Sequence, residues 1–202
     1  MPGINPVSAS APDVSALVRQ ALLDEVWLTP KPGLVDGANS GSHRDMDLPM
    51  FLDSIAAIGP WFSTFLALGR EHAGRGACEM LRLIRPAGIA CEQAMYQATH
   101  GVNTHKGGVF SLGLLSTAAG RLQEQGKALT ASALCSTVSE ICSGIVEREL
   151  VAARKASSVG ERLYQQFGLT GARGEAEKRV SDGAPARIAL LAGGELPQTS
   201  PA

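Results

Sequence analysis

A chain of 202 residues with 45% apolar and 18% charged side chains is long enough to bury one real core and is ordinary for a globular protein. The formal charge is −1, no basic run occurs and aromatics make up only 4%, so no nucleic-acid groove or base-stacking platform is indicated and any polyanion site must be local. Met1–Ser10 lacks the charged and apolar regions of a secretory signal, and no later apolar run is expected to reach bilayer-spanning length, so a cytoplasmic location with no membrane partner is expected.

Residues 1–12 are expected to be disordered. From there helical periodicity dominates, and no segment alternates apolar and polar residues as a half-buried strand does. An all-α, multi-helix bundle is expected over residues 13–177. A first helix runs from Asp13, an N-cap, through Val14, Leu17, Val18, Ala21, Leu22 and Val26 to a stop at Thr29-Pro30. A loop over residues 29 to 46 follows. Asp47-Leu-Pro-Met then opens a second helix, with Phe51, Ile55, Ile58, Phe62, Phe65 and Leu66 at helical spacing and Pro60 kinking or dividing it.

Cys78 to Ala98 reads as helical, interrupted around Arg85-Pro86. Further helices are expected from about Gly107 to Glu124, from about Thr130 to Leu150, and from Ser158, where Ser-Val-Gly-Glu161 fits a capping box. Cys78, Cys91, Cys135 and Cys142 lack metal or redox spacing and fall in apolar helical patterns, so all four read as buried core thiols. His72 and His100 stand without a motif and read as structural or solvent-facing. Glu92, flanked by Ala90, Cys91, Ala94 and Met95, is read as facing solvent, the other reading being a partly desolvated carboxylate with a raised pKa.

Two stretches carry chemistry. Gly101-Val-Asn-Thr-His-Lys-Gly-Gly-Val-Phe-Ser-Leu-Gly113 sets a glycine-rich, basic turn against the start of an apolar helical run. Glycines let a ligand approach the backbone, a helix start offers unpaired N–H groups and partial positive charge, and Lys106 and His105 add cationic or donor groups, so the turn suits phosphate. A plain loop and helix cap fits the same residues. It is not a Walker A motif, because Gly-Lys-Ser/Thr is absent and no strand precedes it, and it lacks a Rossmann fingerprint. Upstream, Thr29-Pro-Lys-Pro-Gly-Leu-Val-Asp36 and the run Asn39 to Asp47 crowd ionisable groups into a loop stiffened by two prolines, which presents Lys31 on a rigid strap. A solvated linker between helices is the competing reading.

The motifs Thr29–Asp36, Ser40-Gly-Ser-His-Arg-Asp-Met46, Gly101–Gly113 and Arg162-Leu-Tyr-Gln-Gln-Phe-Gly-Leu-Thr-Gly-Ala-Arg-Gly-Glu-Ala-Glu177 occur in one order. Together they closely resemble the triphosphoribosyl-dephospho-CoA synthases, citrate lyase accessory enzymes, over roughly Ala21 to Glu177. A related malonate decarboxylase enzyme shares the signature, and the Arg162–Gly171 run leans toward the citrate branch.

The resemblance implies a pentosyltransferase. The 2′-hydroxyl of 3′-dephospho-CoA attacks C1 of the ATP ribose, adenine leaves, and the triphosphate stays on the transferred sugar. The product is the precursor of an acyl-carrier prosthetic group and would pass to a holo-acyl-carrier-protein synthase. Oxocarbenium character at C1 calls for a base near the incoming hydroxyl, a donor for the departing adenine and a clamp on the triphosphate. Lys31, His105 and Lys106, with backbone N–H groups at Gly107 and Gly108, are the clamp candidates; Asn103 and Arg173 with Glu175 would orient sugar or base. Mg²⁺ is expected, with Asp36 or Asp45 as ligand. His43 or Asp45 would serve as base, with Glu92 and Asp36 as further catalytic candidates.

Past Glu177 the chain departs from the family pattern: no Gly-aromatic-Pro segment, Ala-Leu-Pro helix or Asp-Thr-Asn motif follows. Residues 178–202 read as a disordered non-family tail, with a reading-frame slip after Glu177 as the expected origin and a bundle left incomplete at its C-terminal end. An inactive fragment that only binds nucleotide or CoA is therefore the alternative to an active transferase. A helical scaffold binding a lyase subunit is a third reading with little support in the residues.

Overall fold

The computed structural model describes residues 13–147 and 171–177, and every regular element among them is helical. Helix α1, Val14–Trp27, begins where Asp13 Oδ1 accepts the N–H groups of Ser15 and Ala16 at 3.1 and 3.3 Å. Val18, Leu22 and Val26, spaced by four, form its buried stripe. It ends before the cis Thr29–Pro30 peptide.

Asp47 caps α2, Leu48–Ile58, by accepting the Met50 N–H at 3.0 Å. Gly59 and Pro60 then divide this helix from α3, Trp61–Glu71, so the proline breaks the run. The 24 residues from Leu48 to Glu71 do reach membrane-spanning length and hydropathy, contrary to the expectation that no run would. The bundle core accounts for that apolarity, because Ile55, Ile58, Phe62 and Phe65 are all buried in it.

A short 3₁₀ turn, Ala77–Glu79, leads into α4, Met80–Ala98. The expected interruption at Arg85-Pro86 is absent, and α4 runs straight through the proline. Arg82 and Pro86 are both exposed, so the missing i to i−4 bond falls on the solvent side, while Met80, Ile84, Cys91 and Met95 hold the opposite face in the core. Cys78 also departs from expectation. It sits in the turn before α4 and is exposed, whereas Cys91, Cys135 and Cys142 are buried. Burial, with a smaller push from the Glu92 charge, raises the Cys91 thiol to about 12, and burial raises Cys135 as well.

Helix α5, Lys106–Glu124, is the central element, with Val109, Leu114, Ala118, Ala119 and Leu122 buried among its neighbours. It crosses α3 with no room for side chains at the crossing. A Cβ on Gly69 would collide with the Thr117 carbonyl, and one on Gly120 would collide with that of Leu66. Helix α6, Ala131–Cys142, is capped by Thr130, whose Oγ1 accepts the Ala133 N–H at 3.1 Å.

This helix stops short of the expected Leu150 because Gly144 takes a left-handed backbone (φ 72°). The freed N–H groups of Gly144 and Val146 are received by the Glu177 carboxylate at 2.6 and 3.1 Å. Glu177 ends α7, Gly171–Glu177, a helix with no sequence signal of its own. The expected helix from Ser158, the N-terminal segment 1–12 and the tail 178–202 lie outside the described residues.

Candidate functional site

The first turn of α5 leaves backbone N–H groups open beside a lysine. His105 N–H points to Met95 Sδ at 3.2 Å, and Asn103 Oδ1 accepts the Lys106 N–H at 3.1 Å. The N–H groups of Gly107 and Gly108 have no acceptor among the described residues. Neither glycine has a positive φ, and a Cβ at Gly107 would meet nothing within 4 Å. Glycine in a helix costs about 1 kcal/mol relative to alanine, and neither packing nor backbone geometry accounts for that cost here. Lys106 is 45% exposed and reaches across to α4, where its Nζ lies 3.1 Å from Glu92 Oε2. Glu92, at 29% side-chain exposure, is thus neither a solvated surface charge nor a buried one, but half of an ion pair beside the turn.

His105 contributes differently from the cationic role expected of it. Its ring turns inward, is only 7% exposed, and meets Phe51 edge-on at 4.8 Å. Nδ1 lies 2.8 Å from Ser54 Oγ, which accepts from Thr104 Oγ1 at 2.7 Å. With that acceptor role, the Ser54 proton goes to Nδ1, which places the ring proton on Nε2, a buried atom without a partner. Burial above all, with the Lys31 charge adding and the Glu25 charge opposing, lowers its pKa to about 4. The ring is neutral at pH 7, and the positive charge of the turn belongs to Lys106.

That electrostatic coupling also shows that the upstream strap approaches α5 at His105. Lys31, with a side chain only 9% exposed, is already paired: its Nζ donates to the Glu25 carbonyl at 2.8 Å and to Glu25 Oε1 at 2.9 Å. Asp36 is 3% exposed and holds the strap together. Its Oδ1 accepts the N–H groups of Ala38 and Asn39 at 2.8 and 2.9 Å, and its Oδ2 that of Lys31 at 3.0 Å. Those three bonds, the one from Lys31 foremost, hold its carboxyl below the usual range. Gly41 (φ 59°) lets the strap fold against its own Gly33–Leu34 backbone.

His43 and Asp45 face outward from the strap, with Nδ1 and Oδ1 3.8 Å apart and side chains 35% and 64% exposed. Neither makes a hydrogen bond or ion pair with the α5 turn among the described residues. This donor set does not fit a resident Mg²⁺. The Asp36 oxygens are taken by backbone N–H groups, Asp45 stands in solvent, and no group of three His, Cys, Asp or Glu side chains gathers among the described residues.

Beside the turn, a cleft of about 150 Å³ opens between α4 and α5, walled by Phe65, Ile84, Ile89 and Phe110, with Glu92 and Arg173 on its lining. Arg173 therefore shares a cavity with Glu92. Glu175 lies on α7 with Arg173. Ser54, Thr104 and Glu25 were not legible as site residues. Only Ser54 carried a signal, as a polar position beside Ile55 on the buried side of an apolar helix.

The described residues define an all-helical bundle whose α5 opens on a glycine-rich, lysine-bearing turn, with no strand to carry a phosphate loop among them. The chain belongs to the ATP:dephospho-CoA triphosphoribosyl transferase family, whose model matches residues 11–184. Its relatives include a probable 2-(5′′-triphosphoribosyl)-3′-dephosphocoenzyme-A synthase of Pectobacterium carotovorum subsp. carotovorum (strain PC1). It is 54% identical over 167 residues, 83% of this chain and 56% of the relative. The synthase of Pectobacterium atrosepticum is 54% identical over 164 residues, 81% and 54% of the two chains. A probable synthase of Citrobacter koseri is 45% identical over 207 residues, 98% and 68%. The chain thus spans about half the length of the first two relatives. No solved structure matches it.

Proposed function

We propose that the chain serves triphosphoribosyl transfer from ATP to the 2′-hydroxyl of 3′-dephospho-CoA, with release of adenine. The observation that carries this reading is the first turn of α5. Two N–H groups unbonded among the described residues, an open glycine surface and Lys106, whose ammonium pairs with Glu92 on α4, support a triphosphate at this turn. The family's description as ATP:dephospho-CoA triphosphoribosyl transferases, and the relatives' names as synthases of the triphosphoribosyl product, support the substrate pair.

In this reading Lys106 and the Gly107–Gly108 backbone hold the triphosphate, and Asn103 fixes the turn. Asp36 and Lys31 shape the strap that faces it. His43 or Asp45, solvent-accessible on the strap, would take the proton of the attacking hydroxyl, and Arg173, on the cleft lining, would orient sugar or base together with Glu175 of the same helix. Magnesium arrives with ATP as part of the substrate. The product would feed a holo-acyl-carrier-protein synthase in citrate lyase maturation, the malonate decarboxylase version of the reaction being the variant, and a cytoplasmic location suits both.

A second reading, nucleotide binding without turnover, is favoured by one observation. The cleft is smaller than the several hundred Å³ of a usual ligand pocket. Incubation with ATP, Mg²⁺ and dephospho-CoA separates the two. Free adenine and a triphosphoribosyl product support transfer, whereas ATP binding with no adenine supports the second reading. Neither binding nor release would remove both.

A further inference from the structure

We infer that the cleft between α4 and α5 is a subsite for an adenine ring, with the Glu92 carboxylate receiving the exocyclic amino group. The inference rests on the reading that phosphates lie on the first turn of α5. Three observations carry it.

The first is shape. A half-open cleft of about 150 Å³, walled mostly by aliphatic and aromatic side chains with Arg85, Glu92 and Arg173 also on its lining, has the size to admit a single flat ring system with polar edges. The tip of the Phe65 ring packs against α5 because Gly113 lacks a Cβ, which would otherwise stand 3.2 Å from the ring.

The second is Gly88. It lies inside α4 and lines the cleft, its φ is not positive, and a Cβ there would meet nothing within 4 Å. A helix-interior glycine with ordinary geometry and open space beside it repeats the situation of Gly107 at the phosphate-facing turn. In both places the missing side chain leaves room on the face where a ligand would lie.

The third is continuity. Lys106, Phe110 and Gly113 follow one face of α5, so the cleft begins about one helical turn, roughly 6 Å, from the anion-binding turn. Lys106 bridges the two by its ion pair with Glu92 on the cleft lining. Lys106 engages Oε2, and Oε1 carries no hydrogen bond among the described residues, so it can accept from an N–H donor. A carboxylate there favours a purine bearing a 6-amino group over one bearing a 6-carbonyl oxygen, which would meet it lone pair to lone pair. Both substrates named for the family contain adenine, and ATP is the one whose phosphates would sit on the adjoining turn.

The test is calorimetric titration of the full 202-residue chain and of Gly88→Leu with ATP, dephospho-CoA, adenosine and inorganic tripolyphosphate, with thermal melts of both proteins. Leucine adds bulk to the cleft from a helix that tolerates it, so the variant is expected to melt no lower than the parent. ATP should bind the parent at least tenfold more tightly than tripolyphosphate. Gly88→Leu should remove that advantage and leave tripolyphosphate affinity unchanged. Loss confined to dephospho-CoA would keep the subsite and assign it to that substrate.

Adenosine binding that Gly88→Leu abolishes, with no tripolyphosphate binding, would keep the subsite and overturn the phosphate reading. Unchanged binding of both nucleotides to Gly88→Leu would overturn the subsite and leave the phosphate reading standing. Glu92→Gln gives a second check, because it should reduce the preference for ATP over ITP severalfold; an unaltered preference would remove Glu92 from the base contact.

Discussion

Ser54 Oγ and His105 Nδ1, 51 residues apart in sequence, lie 2.8 Å apart in the core and tie α2 to the residue that starts α5. The first turn of α5 is thus positioned by a buried polar contact as well as by apolar packing. Ser54→Ala leaves a buried imidazole nitrogen without its partner and should cost about 1–3 kcal/mol in equilibrium urea unfolding. It should also loosen phosphate binding, since the turn loses its anchor. A variant as stable as the parent would show that the contact does not hold the turn.

His105 makes stability depend on pH in a defined window. Its folded pKa of about 4 lies below the ordinary 6.5, so between those values the unfolded chain takes up a proton that the native protein refuses. The contribution is complete above pH 6.5 and is lost as pH falls from there toward 4, on the order of 3 kcal/mol. Asp36 acts lower: its pKa is depressed, so its contribution persists above the ordinary carboxylate value and is lost only as pH falls below it. Denaturation midpoints at half-unit steps from pH 7 to 4 should decline in the parent and decline less steeply in His105→Gln. Equal slopes would contradict the assignment.

The α3–α5 crossing is the most volume-intolerant place in the bundle. Gly69→Ala or Gly120→Ala forces a methyl into an opposing backbone carbonyl, which no rotamer change relieves, so each should destabilise by about 3 kcal/mol or more. Gly107→Ala introduces the same methyl into open space and should leave stability equal or higher. Thermal melts of the three variants test the contrast, and a fall for Gly107→Ala as large as for Gly120→Ala would refute it.

Most of the helical order was legible in the residues, because caps and periodicity are local. Asp13, Asp47 and Thr130 sit where the helices start, and Pro60 divides α2 from α3. Pro86 misled, since sequence shows the lost hydrogen bond but not that the bond falls on the exposed side of a helix held by its other face. Cys78 misled for a related reason: a 3₁₀ turn there exposes a thiol that the periodicity would bury.

The candidate site was legible as a set of residues but not as a set of pairings. Lys31 and Lys106, both phosphate candidates, are paired with Glu25 and Glu92, and His105, expected to offer a cationic or donor group, is buried and neutral. Contacts between distant segments decide such roles, and residue spacing does not carry them.

Asp36 is expected to act through the strap. Asp36→Ala removes the acceptor for three backbone N–H groups, so the strap over residues 29 to 46 should become sensitive to limited proteolysis while the bundle still melts cooperatively. Asp36→Asn keeps one acceptor oxygen and should lie between the two. An Asp36→Ala strap as resistant as the parent's would assign Asp36 a role other than holding the loop.

The central claim is that the first turn of α5 binds a nucleotide polyphosphate. Titration of the parent and of Lys106→Ala with tripolyphosphate, at low and physiological salt, tests it most directly. Micromolar-to-millimolar binding is expected, weakening with salt and falling about tenfold, roughly 1.4 kcal/mol, in the variant. Lys31→Ala, whose ammonium is already paired with Glu25, should fall less. Equal affinity in Lys106→Ala and parent, or no binding to either, would contradict it.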